Sequence, residues 1–167
     1  MKNINVEERV EKAASLFKEG YNCSQSVVAA YADLYGFTFE QSLKMSASFG
    51  AGIGRMRETC GAACGMFLLA GLETGCTDPK SAAGKGYNYE VVQKLAAEFK
   101  KINGTLICAE LLGLRQRPQE EGQQPLTGVG SPTTPQERTP EYYKKRPCGE
   151  MVTTAARIFG EYLRSME

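Results

Sequence analysis

The sequence predicts a single all-α domain spanning residues 1–167. Apolar residues recur at helical spacing through most of the chain, and no region shows the sustained alternation that is typical of strands. A chain of 167 residues is long enough to bury a substantial core. We therefore expect a compact bundle of about six or seven helices, with a long irregular loop.

The first three helices are delimited by capping residues. The first helix carries an apolar stripe that begins at Val6, and Gly20 lies where a C-terminal cap is expected. Asn22 is a candidate N-cap for the second helix. Thr38 and Gln41 have the spacing of a capping box at the start of the third helix.

The central part of the chain predicts two longer helices. A Gly-rich turn, FGAGIG, precedes a fourth helix that begins near Thr59 and ends at Gly75. Residues 77–88 are polar and contain glycine, which predicts a loop. The fifth helix ends at Gly104, and its apolar stripe consists of Val91, Leu95, Phe99 and Ile102.

The last third of the chain contains the predicted irregular segment. A short sixth helix follows Thr105, a candidate cap. Residues 113–141 are rich in Pro, Gln, Gly and Thr, and no helix or strand pattern is found there, which indicates a loop or arm. The final helix is expected to open at Pro147, a residue favoured in a first turn.

Charge and composition exclude several classes of function. Twenty basic and nineteen acidic residues nearly cancel, so we expect neither a nucleic-acid partner nor membrane insertion. The longest apolar run, MFLLAGL, is too short to span a bilayer. The N-terminal residues contain no long apolar run, so we expect no signal peptide there. A cytoplasmic protein with reduced thiols is therefore expected. Since the sequence contains no histidine, cysteine supplies its distinctive metal and redox chemistry.

Four of the six cysteines share one local setting. Each lies in or beside the first turn of a predicted helix, precedes a small residue and begins an apolar stripe: Cys23, Cys60, Cys108 and Cys148. A helix N-terminus presents unpaired N–H groups and partial positive charge, so we expect these thiols to have lowered pKa values and to suit anionic cluster ligation. Basic residues precede Cys60 and Cys148 and reinforce this expectation.

The spacings leave several chemistries open. No cysteine pair has C-x-x-C spacing, so a zinc finger or thioredoxin-like motif is not expected. A site would assemble from four separate helices. Cys64 follows Cys60 by one helical turn and is either a second ligand, a resolving thiol or a packing residue. Cys76 follows a helix end and is not expected to take part.

The residues CGAACG at 60–65 fit the pattern C-G-A-x-x-G, with one cysteine upstream in YNCSQSV and two downstream in ICAELLG and RPCGEMV. This ordered set resembles the C_GCAxxG_C_C family of redox-active proteins. The resemblance implies a small helical domain with four redox or cluster-binding cysteines, matching Cys23, Cys60, Cys108 and Cys148. A similar domain is fused to haem-binding regions in some cytochromes of anaerobes, and in those proteins an iron–sulfur site is implied.

The leading hypothesis is an electron-transfer protein in which these four cysteines hold a [2Fe–2S] or [4Fe–4S] cluster and exchange electrons with a redox partner protein. In the second, Cys60 is an attacking thiolate and another cysteine, such as Cys64, resolves the disulfide. The third is a helical interaction module with packing cysteines. The fourth is a zinc site made by the same four residues. A homodimer is compatible with each.

Overall fold

The computed structural model describes residues 3–115 and 133–166, and this part of the chain is all-α, as predicted. It contains eight α-helices: α1 (Val6–Lys18), α2 (Cys23–Ala29), α3 (Phe39–Ser46), α4 (Gly61–Thr74), α5 (Ala82–Asn103), α6 (Cys108–Leu111), α7 (Pro140–Lys145) and α8 (Cys148–Ser165). Two short 3₁₀ helices, Ala32–Tyr35 and Ala47–Phe49, follow α2 and α3. No strand forms in the described ranges, where Thr59 and Ile107 make an isolated antiparallel bridge.

Helix α4 is the centre of the bundle. Its sequence, GAACGMFLLAGLET, is apolar on nearly every face, a pattern typical of a helix surrounded by others. It packs against α2, α5 and α8, while α1 packs along α8. Small residues in its first turn, such as Gly61 and Ala62, let the neighbouring backbones approach closely.

An aromatic pair packs the turn that follows α2 against α8. Tyr31 and Phe159 are fully buried and meet edge to face, with ring centroids 5.1 Å apart. The Tyr31 hydroxyl donates a 2.7 Å hydrogen bond to the carbonyl of Ala156, so its polar end is satisfied inside the core.

Two predicted caps are confirmed in atomic detail. The Asn22 side chain accepts a hydrogen bond from the Gln25 N–H, and the Gln25 side chain accepts one from the Asn22 N–H. The same reciprocal pair joins Thr38 and Gln41 at the start of α3. Each pair satisfies two amide groups that a helix start would otherwise leave unpaired.

The fifth helix begins earlier than predicted. Residues 82–88 were expected in a loop, but α5 starts at Ala82, where the Ser81 side chain accepts from the Gly84 N–H. Gly84 and Gly86 lower the helix propensity of this turn, and the cap together with packing on α4 overrides it. Ile102, predicted on the buried stripe, is 61% exposed in the last turn.

The segment predicted as irregular, 113–141, is described only at its two ends, since residues 116–132 lie outside the described part of the chain. Residues 133–139 are non-helical, as predicted, but α7 begins inside the range at Pro140, with Thr139 as its N-cap. The final helix starts at Cys148, with Pro147 in the position before it. No helix in the described ranges is both long and apolar enough to cross a membrane.

The buried aromatic pair makes Phe159 a stability determinant. Replacing Phe159 by Ala should lower the free energy of unfolding by about 3–5 kcal/mol, because it removes a fully buried ring and leaves a cavity. The control Ile102→Ala removes an exposed side chain and should change it by about 0.5 kcal/mol or less. Urea denaturation measures both; equal effects would contradict the placement of α8 against α2.

Candidate cysteine site

The four cysteines singled out by the sequence line one cavity of about 320 Å³. Cys23, Cys108 and Cys148 are the first residues of α2, α6 and α8, and Cys60 immediately precedes α4. The structure thus brings together side chains that are separated by 37 to 48 residues in the chain. All four are free thiols.

The other two cysteines are placed differently. Cys64 is buried one turn into α4, where its thiol lies 3.7 Å from the carbonyl of Thr59, and it does not line the cavity. Cys76 is exposed after the end of α4. The i, i+4 spacing of Cys60 and Cys64 therefore does not place both thiols on the cavity wall.

A short backbone pairing holds Cys60 beside Cys108. The N–H of Cys60 donates to the carbonyl of Leu106 at 2.7 Å, and the N–H of Cys108 donates to the carbonyl of Glu58 at 2.6 Å. These bonds flank the isolated bridge and run between the two segments that lead into α4 and α6. Because the bonds are made by the main chain, both cysteines are fixed at their Cα atoms.

The loop before Cys60 adopts an unusual left-handed conformation. Residues 51–55 all have positive φ angles, between 55° and 74°. For a non-glycine residue this conformation costs roughly 1–2 kcal/mol, so Ala51, Ile53 and Arg55 store strain in the cavity wall. Gly52 is required for a second reason, because a Cβ there would lie 2.6 Å from the Cβ of Cys108.

The strained loop and the helix starts aim hydrogen-bond donors at the sulfurs. The backbone N–H groups of Ala51 and Ser24 act to lower the pKa of the Cys23 thiol, and those of Ala62 and Ala63 act to lower the pKa of the Cys60 thiol. These are the orphan amides of helix starts, complemented by one amide from the left-handed loop. They supply fixed partial positive charge where a thiolate would carry its negative charge.

Arginine side chains supply further positive charge around the cavity, which is lined by Arg55, Arg57, Arg138 and Arg146. The Arg57 guanidinium lies 3.9 Å from the Cys108 sulfur. The sequence pattern indicated the basic residues before Cys60 and Cys148. It missed Arg138, although the Thr139–Pro140 pair beside it has the form of a helix start and marks the segment as structured.

Burial raises the pKa of these thiols, contrary to the expectation from helix starts alone. Desolvation is the largest influence at Cys23, Cys60, Cys108 and Cys148, and it raises the pKa of Cys148 to about 11. Neighbouring thiolates add repulsion, and the N–H groups and Arg57 offset only part of this cost. The expectation of lowered pKa values was wrong because it left out the loss of water.

The four cysteines line the cavity without forming a site for a single metal ion. Within residues 3–115 and 133–166, no three Cys, Asp or Glu side chains lie close enough together to bind a single metal ion. A tetrahedral zinc ion requires each sulfur about 2.3 Å from the same centre. The arrangement therefore leaves room for a group larger than one ion.

Gly61 is a sensitive contact of the site. A Cβ at this position would overlap the Cys23 sulfur, whereas a Cβ at Gly71, ten residues further along α4, would meet open space. Gly61→Ala should destabilise the protein by about 1–3 kcal/mol through overpacking, and Gly71→Ala should stabilise it by about 0.5–1 kcal/mol. Thermal unfolding tests this pair, and a tolerated Gly61→Ala would contradict the close approach of α2 and α4.

The raised thiol pKa values predict a loss of stability at alkaline pH in the reduced, metal-free protein. The unfolded chain releases thiol protons near pH 9.0, whereas folded Cys148 keeps its proton up to about pH 11. Over this interval the unfolded state binds fewer protons, so the free energy of unfolding falls as pH rises. Cys148→Ser should show a shallower decline in chemical denaturation between pH 8 and 11; an identical slope would contradict the prediction.

The geometry agrees with what a comparison of the sequence with known protein families finds. A family model described as "Putative redox-active protein (C_GCAxxG_C_C)" matches residues 21–162, which include all four cavity cysteines and most of the chain. Neither a curated protein nor a solved structure matches the chain. On the extent of the family match, this chain is a member of the C_GCAxxG_C_C family.

Proposed function

We propose that Cys23, Cys60, Cys108 and Cys148 ligate an iron–sulfur cluster and that the protein transfers electrons to and from a partner oxidoreductase. The observation that carries this proposal is the convergence of four helix-start cysteines on one cavity. Isolated packing cysteines have no reason to share a cavity, a helix position and sulfur-directed amides. Iron–sulfur clusters are characteristically held by four cysteine thiolates.

The donor set fits such a cluster. Thiolates are soft ligands that select zinc, copper(I) and iron–sulfur groups over the oxygen-seeking cations. The cavity of about 320 Å³ is larger than a single ion needs. Gly61 lacks the Cβ that would press on Cys23, and this keeps one ligand's sulfur unobstructed.

The electrostatics of the cavity also support the proposal. Four thiolates largely removed from water would be costly without compensation, which is reflected in their raised pKa values. Iron ions held by these four cysteines would supply the missing positive charge, since a bound metal favours the deprotonated form of a coordinating thiol. When bound, the cluster supplies one-electron chemistry whose potential depends on hydrogen bonds to its sulfurs and on local charge.

The residues of this chain each have a part in that arrangement. The amides of Ala51, Ala62 and Ala63 act to lower the pKa of Cys23 and Cys60 and so favour the anionic form. Arg57 adds a charged donor at Cys108. Phe17 and Met151, which also line the cavity, limit the access of water. The burial of Cys60 and Cys108 disfavours the alternative in which Cys60 is a free attacking thiolate.

Iron and acid-labile sulfide analysis of anaerobically purified protein tests the proposal. We expect both elements in equal amounts, together with a visible absorption that bleaches on reduction. Replacing any of the four cavity cysteines by Ser should remove most of the iron, because each supplies one thiolate. Cys76→Ser is the matched control and should retain the iron, since Cys76 is exposed and lies outside the cavity.

The same samples distinguish the other candidates. Stoichiometric zinc without sulfide would indicate a structural zinc site instead. Protein that contains no metal, and that takes up no iron and sulfide on reconstitution, would contradict the proposal and favour thiol redox chemistry or simple packing. Loss of iron in Cys64→Ser would add Cys64 to the ligand set.

A further inference from the structure

The segment 133–147 forms one wall of the cysteine cavity. Its lining residues are Thr133, Pro135, Gln136, Arg138, Tyr142, Arg146 and Pro147. Much of this wall lacks regular structure, and α7, which lies within it, has no fully buried residue. A wall with so little buried surface of its own depends on specific attachments to the rest of the protein.

Arg138 makes one of these attachments. Its guanidinium donates to the carbonyls of Phe17 and Tyr21, each at 3.1 Å. Both carbonyls lie at or just beyond the C-terminal end of α1, where a positive charge is favoured by the helix dipole. The planar guanidinium group can donate to both carbonyls at once through two of its nitrogens. A lysine ammonium does not reproduce this geometry.

The same guanidinium lies against three aromatic rings. Its central carbon is 4.4 Å from the ring centroid of Phe17 and 5.0 Å from that of Tyr142, with Tyr143 at 5.8 Å. The Tyr143 hydroxyl donates to the carbonyl of Lys18 at 3.3 Å, which adds a second tie to the same helix end. Arg138 therefore joins α1 to the wall by hydrogen bonds and by cation–π contacts.

The position of this attachment relates it to two of the four cysteines. Tyr21, one of the carbonyls that Arg138 binds, is two residues before Cys23, and the wall leads directly into Cys148. Cys23 and Cys148 are half-buried, whereas Cys60 and Cys108 are buried and donate their backbone N–H groups to the pairing between residues 57–60 and 106–109. Two of the cysteines are therefore fixed by main-chain bonds, and the other two adjoin the segment that Arg138 attaches.

We propose that Arg138 is a positioning residue of the cysteine site: it fastens the 133–147 wall to the end of α1, and so holds Cys23 and Cys148 in place and shields them from solvent. This inference deepens the proposed function and rests on it in assigning the cavity a redox role. The attachment of the wall by Arg138 depends only on contacts within the chain. Loss of Arg138 should expose Cys23 and Cys148 to solvent and leave Cys60 and Cys108 unchanged.

The test is the alkylation rate of each cysteine in the full chain, purified anaerobically and analysed by peptide mass spectrometry. In Arg138→Ala, the rates at Cys23 and Cys148 should rise about tenfold or more relative to wild type, the effect of losing two charge-assisted hydrogen bonds. The rates at Cys60 and Cys108 should stay unchanged. Arg138→Lys should behave like Arg138→Ala, because the charge remains but the planar guanidinium is lost.

Arg157→Ala is the matched control. Arg157 also ties its helix to α1, through Glu7, but it is exposed and outside the cavity, so no cavity cysteine should become more reactive. An equal rise at all four cysteines, no rise at any, or full protection in Arg138→Lys would overturn the proposal. Because iron ligation itself blocks alkylation, the rates are compared in chelator-treated, iron-free samples, and iron uptake is measured separately. Selective exposure in a protein that takes up no iron and sulfide would support the wall while refuting the cluster. Iron uptake by a protein whose chelator-treated Arg138→Ala variant shows no selective exposure would do the opposite.

Discussion

The backbone pairing between residues 57–60 and residues 106–109 is the constraint on which the site depends. It joins two segments that are far apart in the chain. Its main-chain hydrogen bonds fix Cys60 and Cys108 without the help of a bound ligand. The left-handed loop 51–55 follows from it, because the chain must reverse within a few residues to deliver Glu58 to its partner. The strain of that loop is sustained by these hydrogen bonds and by the close packing around Gly52 and Gly61.

Two opposing electrostatic effects act on the pKa values of the four cavity thiols. Helix starts and arginines favour thiolates, while burial favours neutral thiols, and in the protein alone burial is the larger influence on the pKa values. This balance shows why helix-start position is insufficient to identify a reactive cysteine. The raised pKa values of these thiols favour the role proposed for them as metal ligands over nucleophilic attack.

Much of the fold could be predicted from the sequence because its signals are local. Asn22 and Thr38 mark the starts of their helices, because each side chain accepts a hydrogen bond from the backbone N–H three residues later. The first turn of α5 could not be predicted in this way. Gly84 lowers the helix propensity of that turn, and the helix is stabilised there by its packing on α4. The four cysteines were recognisable by their shared setting, but the role of Arg138 was not, because its acceptors lie more than 100 residues away at the end of α1.

The proposal that four dispersed cysteines form one metal-cluster site can be tested by the structure of anaerobically grown crystals, with anomalous scattering measured at the iron edge. We expect iron peaks inside the cavity, at bonding distance from the sulfurs of Cys23, Cys60, Cys108 and Cys148. A cavity without iron in crystals of protein reconstituted with iron and sulfide, or iron bound by a different set of residues, would contradict it.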